Sequence, residues 1–504
     1  MDLGRQDQGG GRLGRRHLSE QGIWSARYGA ITVANLTVVA LAAFDGLGVV
    51  AALPGIAEDL GSVSLLPWVI TAYLAASAIA VLVAGPVIDA WGVRTTFRLS
   101  GVWFLVTTVA AALAPTMPVL VAARALQGVG GGMVIAVALA AVGLAYPHEL
   151  RPRAFAANSM VWGLMGFGGP ALAGGLLALG SWRWVLLVQV PLTVLALALA
   201  WTRLPRRTDD APGLRLDLRG LALMTVVTLA SLAAVSQVGV NWWAAALALA
   251  ATVGAGGAYW WHAGRASRPL LSRAHVVSPS FGLVHAATGA VLVAGLAADN
   301  YLPLYVQITR GHSESLAAFS LVFLTVGWTA GAITFSRLAP RWSEAHVAVF
   351  GSRALIPGLA VALAGVASGA HLVVVFAGFG LAGVGVGLVS TSGLTLLQGL
   401  SEPAEMGRIT SAHQFIRTLC ITYAVAIGGA LLLFVVQQRV GDVEAVRQVL
   451  AGDLEAARAQ LGPATAEAVQ DGLALVIAFA LVMAGVVAVV TLRLRSRFAD
   501  RNPT

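Results

Sequence analysis

The sequence predicts an all-α polytopic membrane protein, and three observations lead to this class. The chain has 504 residues and is 58% hydrophobic and 11% charged, whereas a soluble domain is about 25% charged. Apolar runs of about 20 residues, each long enough to cross a bilayer as a helix, recur along the whole chain. Arginines are frequent in every second connection between these runs and rare in the other connections. A soluble enzyme with one membrane anchor is therefore excluded.

Fourteen candidate transmembrane helices follow one another along the chain. They are expected at residues 29–52, 65–87, 97–114, 118–143, 155–178, 184–202, 217–236, 241–261, 281–305, 316–337, 348–367, 371–397, 409–436 and 472–492.

The arginine distribution predicts the orientation of these helices. With the N-terminus placed in the cytoplasm, 25 of the 32 basic residues fall on the inner side, five fall outside and two, Arg124 and Arg417, fall within spans. Such a bias follows the positive-inside rule. We therefore expect an even number of spans and both termini in the cytoplasm of a cell that carries the protein in its inner or plasma membrane.

Composition also excludes several classes of function. All 32 basic residues are arginine, so the chain has no lysine for a phosphate-binding P-loop or a Schiff base. The net charge of +9 is explained by topology rather than by nucleic-acid binding. Residues 1–28 are polar, so a cleaved signal peptide is not expected. The single cysteine, Cys420, permits no disulfide within the chain.

Two acidic residues lie inside apolar runs, where charge is costly. Asp45 and Asp299 are both surrounded by small and aliphatic residues. A carboxyl in the membrane costs about 2.5–3.5 kcal/mol on insertion scales, so it marks a functional site by default. Both are candidates to carry a proton. His285 and His413 begin spans and could relay protons, or they could be interfacial residues without such a role.

The longest predicted outer segment, residues 438–471, shows apolar residues at helical spacing up to Gly462 and Pro463. It predicts an external helical hairpin, which serves either as a solvated connector or as a lid at the substrate entry.

Three motifs carry glycine, proline or charge at specific places. The loop after the second span reads Gly85-Pro-Val-Ile-Asp89-Ala-Trp-Gly92-Val-Arg94, in which glycines allow a tight turn and Asp89 can accept bonds from a helix N-terminus or from Arg94. A weaker copy, Ser336-Arg-Leu-Ala-Pro-Arg341, follows the tenth span.

The fourth span contains Arg124-Ala-Leu-Gln127-Gly128-Val-Gly130-Gly131-Gly132. A buried arginine needs an acceptor, and the glycines indicate close helix packing rather than a nucleotide loop. The fifth span contains Gly169-Pro170-Ala-Leu-Ala-Gly174-Gly175, in which Pro170 bends the helix and leaves a carbonyl unpaired.

Together these motifs resemble those of the major facilitator superfamily, in its fourteen-helix drug:proton antiporter branch. Further marks of that branch are Asp45 with Ala52-Leu53-Pro54, Trp68-Val-Ile-Thr71-Ala-Tyr73, and Trp182-Arg-Trp184 followed by Gln189. Leu47, Val50 and Gln189 replace the Thr, Asn and Asn of the family pattern. The resemblance implies two six-helix bundles with the spans at 217–261 as an inserted pair.

The resemblance also implies a domain organisation. We expect a cytoplasmic tail at 1–28, a first bundle at 29–203, a linker with the two extra helices at 204–280, a second bundle at 281–493 that includes the outer hairpin, and a tail at 494–504.

The implied function is proton-driven export of a lipophilic or cationic, drug-like small molecule by alternating access, with no enzymatic activity. The resemblance implies that proton coupling rests on Asp45, Asp299 and Arg124, a conformational latch on Gly85, Asp89, Gly92 and Arg94, and the antiporter motif on Gly169, Pro170, Gly174 and Gly175. The cavity candidates are Tyr73, Gln127, Trp162, Tyr301, Trp328 and Arg417.

The expected partners are the substrate, protons and membrane lipids; no nucleic acid, metal or cofactor is expected beyond the proton gradient, and the protein is expected to be a monomer. Export of a lipid or glycolipid by the same fold is the alternative function. A membrane-embedded transferase would need a polar loop with paired acids or a metal cluster, and the sequence contains neither.

Overall fold

Helices and turns make up the whole of the computed structural model over the residues that it describes, which are 22–62, 65–207, 213–237, 241–441 and 462–498. No β-strand occurs within those ranges. The all-α class predicted from the apolar runs is therefore confirmed for this part of the chain.

The N-terminal half consists of long helices joined by short turns. Its elements are α1 (Gly29–Leu60), α2 (Leu66–Ala112), α3 (Met117–Ala145), α4 (Arg151–Leu177), α5 (Arg183–Leu187) and α6 (Gln189–Ala200). Two predicted spans fall within α2, which is interrupted at Gly92, where φ is +79°. An L-residue with a side chain rarely adopts that φ, so glycine at this position permits the break.

Two further helices, α7 (Leu218–Gln237) and α8 (Trp242–Ala263), follow and pack against each other. Asp217 precedes α7; its carboxylate accepts a bond from the Gly220 N–H at 2.8 Å and lies 2.7 Å from Nε2 of His262 near the end of α8. Trp243 and Leu247 on α8 are 87% and 73% exposed. Large exposed apolar side chains are expected on a helix that faces lipid.

The C-terminal half begins with the short α9 (Arg273–Val277) and α10 (Pro279–Asp299). Ser278 caps α10 through a bond from the Phe281 N–H, and Pro279 occupies the first helical position, where its missing N–H costs nothing. The remaining helices are α11 (Leu302–Leu304), a π-helical turn (Tyr305–Thr309), α12 (Glu314–Ser320), α13 (Val322–Leu338), α14 (Glu344–Ala367), α15 (Leu372–Leu400), α16 (Met406–Val440) and α17 (Pro463–Arg497).

Helices occur at each of the fourteen predicted positions, but length and composition alone qualify fewer of them as spans. Eleven helical stretches of the described residues could each cross a membrane, or twelve if the bent α4 counts as one span. One of the eleven is the 45-residue stretch Trp68–Ala112, which holds two predicted spans. Fourteen crossings therefore remain a prediction, whereas a multi-pass membrane protein is established.

The predicted outer hairpin at 438–471 falls largely outside the described residues, as do both predicted tails beyond residues 22 and 498. On either side of that segment, α16 ends at Val440 and α17 begins at Pro463. The two helices lie close together there, since Arg439 of α16 forms an ion pair with Asp471 of α17 at 2.8 Å.

Buried hydrophobic residues form clusters that show how the two halves pack. One cluster joins the halves, since it includes Val81 and Phe155 from the first half and Leu397 and Phe415 from the second. A second cluster around Phe44 and Leu120 draws only on the N-terminal half, and a third only on the C-terminal half. The halves are therefore packed together at one end of the described bundle, which we call the Asp89 end after the residue described below.

Glycines make the closest approaches between helices. A Cβ at Gly128 of α3 would lie 2.3 Å from the Tyr73 carbonyl oxygen, and one at Gly132 would lie 2.2 Å from that of Ser77. Both contacts join α3 to α2. The glycine cluster after Arg124 thus serves close packing, as the sequence predicted.

Candidate functional site

Asp45 and Arg124 form an ion pair in the interior of the N-terminal half. Asp45 lies on α1 and Arg124 on α3; Nη1 donates to Oδ1 at 2.8 Å and Nη2 to Oδ2 at 2.9 Å. Each side chain is 1% exposed. Two parallel N–H···O bonds fix the planar groups in one geometry. Desolvating two charges is costly, so their mutual bonds must compensate.

Two of the three remaining N–H donors of Arg124 are also bonded. Nε donates to the Val69 carbonyl at 3.1 Å, and Nη1 donates to Oε1 of Gln127 at 2.7 Å. The guanidinium also lies over the Tyr73 ring, with 4.3 Å from Cζ to the ring centroid. Tyr73 and Gln127, both predicted as cavity candidates, are therefore direct contacts of Arg124.

Two further polar residues complete this network. Gln127 donates to Oγ1 of Thr108 at 2.9 Å, and Gln189 on α6 donates to Oδ1 of Asp45 at 3.2 Å. Neither Thr108 nor Gln189 was among the sequence-predicted site residues. Gln189 could have been found, because it is an amide within a predicted span and occupies the asparagine position of the Trp182 motif.

The pair holds α1 and α3 in this arrangement only while both partners are present. If either is lost, the other remains as a buried charge without its counter-ion, which costs about 3–5 kcal/mol.

Asp299 has a different environment from Asp45. It is the last residue of α10 and is 6% exposed, and its Oδ1 is buried without a hydrogen-bond partner among the described residues. Within the described residues it forms no ion pair. No described contact joins it to Asp45, so the two carboxyls predicted for proton coupling belong to separate surroundings.

Asp89 connects the two halves at the end where they are closed. Its Oδ1 accepts from the Gly407 N–H at 2.8 Å and its Oδ2 from the Arg408 N–H at 3.2 Å. These N–H groups belong to the first turn of α16, so Asp89 on α2 caps a helix of the opposite half. Free N–H groups and the helix dipole both favour a carboxylate there.

The other latch candidates occupy different roles. Gly85 packs against α16, because a Cβ there would lie 2.8 Å from Cα of Arg408. Gly92 breaks α2, as described above. Arg94 does not bond Asp89; its Nε donates to the Leu204 carbonyl at 2.6 Å and so ties α2 to the segment after α6. The sequence offered two partners for Asp89, a helix N-terminus and Arg94. In the structure Asp89 bonds the helix N-terminus.

Other bonds cross between the halves near Asp89. Arg151 donates to the Gln398 carbonyl at 3.3 Å, and Gln398 donates to the Leu139 carbonyl at 3.0 Å. His148 lies 3.3 Å from a carboxylate oxygen of Glu344. These contacts close the Asp89 end.

The antiporter motif lies in α4, which bends by 46° between Gly166 and Gly168. Pro170 has no N–H for the carbonyl of Gly166 four residues earlier, which accounts for a bend at this point. Gly174 and Gly175 have open space where a Cβ would lie. Within the described residues these two glycines therefore allow no close helix contact in this conformation, while Gly169 is buried.

The remaining cavity candidates do not form one group. Trp162 on α4 is 46% exposed. Trp328 packs against the core of the C-terminal half. Tyr301 is buried and donates to the Val425 carbonyl at 2.6 Å. Arg417 on α16 has a buried Nε that finds no hydrogen-bond partner in the part of the chain that the structure describes.

One cavity lies beside this network but is too small for a drug-like ligand. It measures about 20 Å³ and is lined by Tyr73, Phe97 and Phe104, whereas ligand pockets are about 300–1,000 Å³.

Hydrogen bonds to Asp59, outside the predicted spans, hold the C-terminal end of α1. Asp59 accepts from Nε1 of Trp182 at 3.0 Å and from Nη1 of Arg183 at 2.6 Å. The bond from Trp182, followed by that from Arg183, lowers the pKa of Asp59 below its usual value of 3.8. The Trp182 motif thus positions α5 against the end of α1, next to the helix that carries Gln189.

Comparison with known proteins supports the likeness suggested by the motifs. The model of the Major Facilitator Superfamily matches residues 35–425. The multidrug transporter protein MdtP of Bacillus subtilis is 24% identical over 419 residues, which is 82% of this chain and 77% of that protein.

An uncharacterised transporter of the same type from Mycobacterium tuberculosis is 28% identical over 414 residues, or 78% of this chain. The match covers 58% of that relative, so this chain spans little more than half its length.

The fold is also similar to that of a solved transporter. A bacterial homologue of the iron transporter ferroportin, in an outward-facing state, superimposes with a TM-score of 0.63 at 13% identity, over 93% of this chain and all of that one.

Proposed function

Because this chain belongs to the Major Facilitator Superfamily, we propose that it is a secondary active exporter that moves a lipophilic or cationic small molecule out of the cell in exchange for protons. Membership of the family and a multi-pass membrane architecture are established. Coupling to protons, the direction of transport and the class of substrate are the proposal.

The observation that carries the proposal is the buried pair of Asp45 and Arg124. A fully desolvated pair adds little net stability compared with apolar side chains of the same volume, so its presence calls for a further role. Proton binding to Asp45 supplies that role, because it converts a change in charge into a change in helix contacts. Arg124 then favours release of the proton once the pair can re-form.

Asp299 is proposed as a second proton-binding group. A buried carboxyl without a basic partner is stable mainly in its protonated form, since desolvation penalises the charge. It would lose its proton only when water or a cation reaches it. The two carboxyls would thus respond to different events in the cycle.

The closed Asp89 end fits one state of alternating access. With the arginine-derived topology, this end faces the cytoplasm, so the cavity would open to the outside, where protons enter and substrate leaves. Opening of the inner end requires Asp89 to release the first turn of α16.

Export rather than import is proposed from the bend of α4 at the Pro170 motif and from the likeness to a relative named as a multidrug transporter. These are arguments by resemblance, since a fold does not determine a function.

The test is transport by purified protein in proteoliposomes with an imposed pH gradient. We expect a lipophilic cation to accumulate against its gradient and to leak out when a protonophore is added. Asp299→Asn should abolish accumulation without breaking an ion pair, whereas Glu58→Gln, on the exposed end of α1, should transport as wild type. Equal accumulation with and without a pH gradient would contradict proton coupling.

Export of a lipid or glycolipid is the second candidate. It is favoured because the formal charges of Asp45 and Arg124 sum to zero. A paired carboxylate offers no free charge to a cationic substrate. Proton release from solubilised protein on adding a lipophilic cation separates the two candidates: release supports cation antiport, while no release and pH-independent binding support the lipid substrate.

A further inference from the structure

His285 and His413 meet in the core that joins the two halves near the Asp89 end. His285 lies on α10 and His413 on α16, and their Nδ1 atoms are 3.0 Å apart. They are 5% and 1% exposed. Their neighbours Val284 and Ala412 belong to the hydrophobic cluster that joins the halves. The two rings thus form a bonded couple without access to solvent.

The hydrogen bonds fix the tautomers of the couple. Nε2 of His285 lies 3.0 Å from the His275 carbonyl, which can only accept, so this nitrogen carries a hydrogen. Nδ1 of a neutral His285 is then an acceptor, and Nδ1 of His413 donates to it. One atom is left over: Nε2 of His413 carries a lone pair, is buried, and has no hydrogen-bond partner in the described part of the chain.

We propose that the His285–His413 couple is a proton-binding site that takes up one proton, at Nε2 of His413. A proton there converts His413 to an imidazolium whose Nδ1–H still donates to His285, so no existing bond is lost. A second proton would have to bind Nδ1 of His285, which already accepts that bond. The couple therefore holds one proton and not two.

A second observation points to the same face of α16. In the described part of the chain, Thr410, His413 and Arg417 each carry a buried polar atom without a partner. They recur on α16 at spacings of three and four residues and hence share one face of the helix. Buried polar groups of this kind need an explanation, and a role in holding a proton is one. This face is a polar stripe that runs from Thr410 through His413 to Arg417.

The charged groups around the couple affect whether it holds a proton. Among the described residues, the titratable groups that act on the two rings are His275 and Arg417. Nε2 of His275 lies 3.3 Å from Oε2 of Glu405, whose side chain is 48% exposed.

Charged groups on the neighbouring elements lie further out: Asp89 on α2, Arg408 at the start of α16, and Arg497 of α17, which donates to Ser280. Within the described residues none of these carboxylates is bonded to either ring, and Arg417 opposes a positive charge on His413. The couple is therefore empty of a proton in this closed state. It fills as the Asp89 end loosens and water reaches it, and it empties when that end closes again.

The role of this site as a transit point for exchanged protons rests on the proposed function, but proton binding can be measured without transport. Protein labelled with ¹⁵N-histidine, in lipid nanodiscs, is titrated between about pH 4.5 and pH 8.5 while the ring nitrogens are followed by NMR. His413→Gln and His285→Asn assign the signals among the nine histidines. His312, exposed in a loop, is the internal control.

We expect Nε2 of His413 to change from unprotonated to protonated in one step while Nδ1 of His285 stays unprotonated. In Asp89→Asn, which weakens the closed end, that step should move to higher pH. Protonation of both rings would overturn the proposal. So would a His413 ring that stays neutral across this pH range in wild type and in Asp89→Asn.

Transport separates the two proposals. If wild-type protein shows no proton-driven accumulation but His413 titrates as described, the proposed function fails and the site stands. If accumulation occurs and His413 does not titrate, the site fails and the function stands. If both hold, His413→Gln should reduce proton-driven accumulation, and His312→Gln should not.

Discussion

Removal of either partner of the Asp45–Arg124 pair is expected to destabilise the protein more than removal of both. In Arg124→Gln, Asp45 keeps a single side-chain donor, Gln189 at 3.2 Å, in place of three. In Asp45→Asn, Arg124 keeps its positive charge without a counter-ion. A buried charge left in this way costs about 3–5 kcal/mol, so each single variant should lose that much free energy of unfolding.

The double variant Asp45→Asn/Arg124→Gln buries no unpaired charge. It should cost less than either single change, which gives a coupling energy of about 3 kcal/mol or more between the two positions. Because Asp45 makes two bonds to Arg124, Asp45→Asn is expected to affect folding as well as transport. Reversible unfolding in mixed detergent micelles measures all four proteins of the cycle.

A matched pair on the surface provides the control. Arg439 and Asp471 are also 2.8 Å apart, but their side chains are 64% and 46% exposed. Solvent screens such pairs, so the same cycle there should give about 0–1 kcal/mol. If the Asp45–Arg124 cycle gives a coupling as small as the surface pair, the buried pair is not an energetic unit, and the mechanism built on its disruption is wrong.

Three further predictions concern topology, packing and pH. In a Cys420→Ser background, Ser267→Cys, at an exposed position of the 262–280 segment, should react with an impermeant reagent only from the cytoplasmic side; labelling from outside would reject the fourteen-span topology. Gly128→Ala should lower the free energy of unfolding by about 1–3 kcal/mol, because the added Cβ would meet a backbone oxygen. Gly174→Ala adds a methyl group in open space and should leave that free energy nearly unchanged. The pKa of Asp59 is depressed in the folded protein, so its carboxylate should stabilise the protein at pH values above 3.8, its pKa in the unfolded chain, and lose that effect as pH falls further. The difference in melting temperature between wild type and Asp59→Asn should therefore be present at neutral pH and disappear only in acid.

The sequence predicted the positions of the helices well because the length of an apolar run sets the length of a span. It did not predict that α2 would continue through two spans, since the break depends on a backbone angle at Gly92 rather than on hydropathy. The number of crossings also could not be settled by composition, because helices such as α8 carry glycines and polar ends that lower their hydropathy.

The site was predicted in part. The costs of charge in a membrane identified Asp45, Asp299 and Arg124 as polar positions that need explanation, and a buried arginine was expected to require an acceptor. Which carboxyl supplies it is a matter of tertiary packing: Asp45 and Arg124 are 79 residues apart. The same limit applies to His285 and His413, 128 residues apart, each of which looked like an isolated residue near a helix end.

The contact of Asp89 with α16 has a kinetic consequence. A capping carboxylate is bonded only while the first turn of α16 is within hydrogen-bond distance, and both bonds are lost over a movement of an ångström or two. Such a short-range contact adds to the barrier for leaving the closed state but contributes nothing once the halves have separated. The strength of this cap would therefore govern how long the protein dwells with its Asp89 end closed, and it would leave the dwell time of the opposite state unchanged.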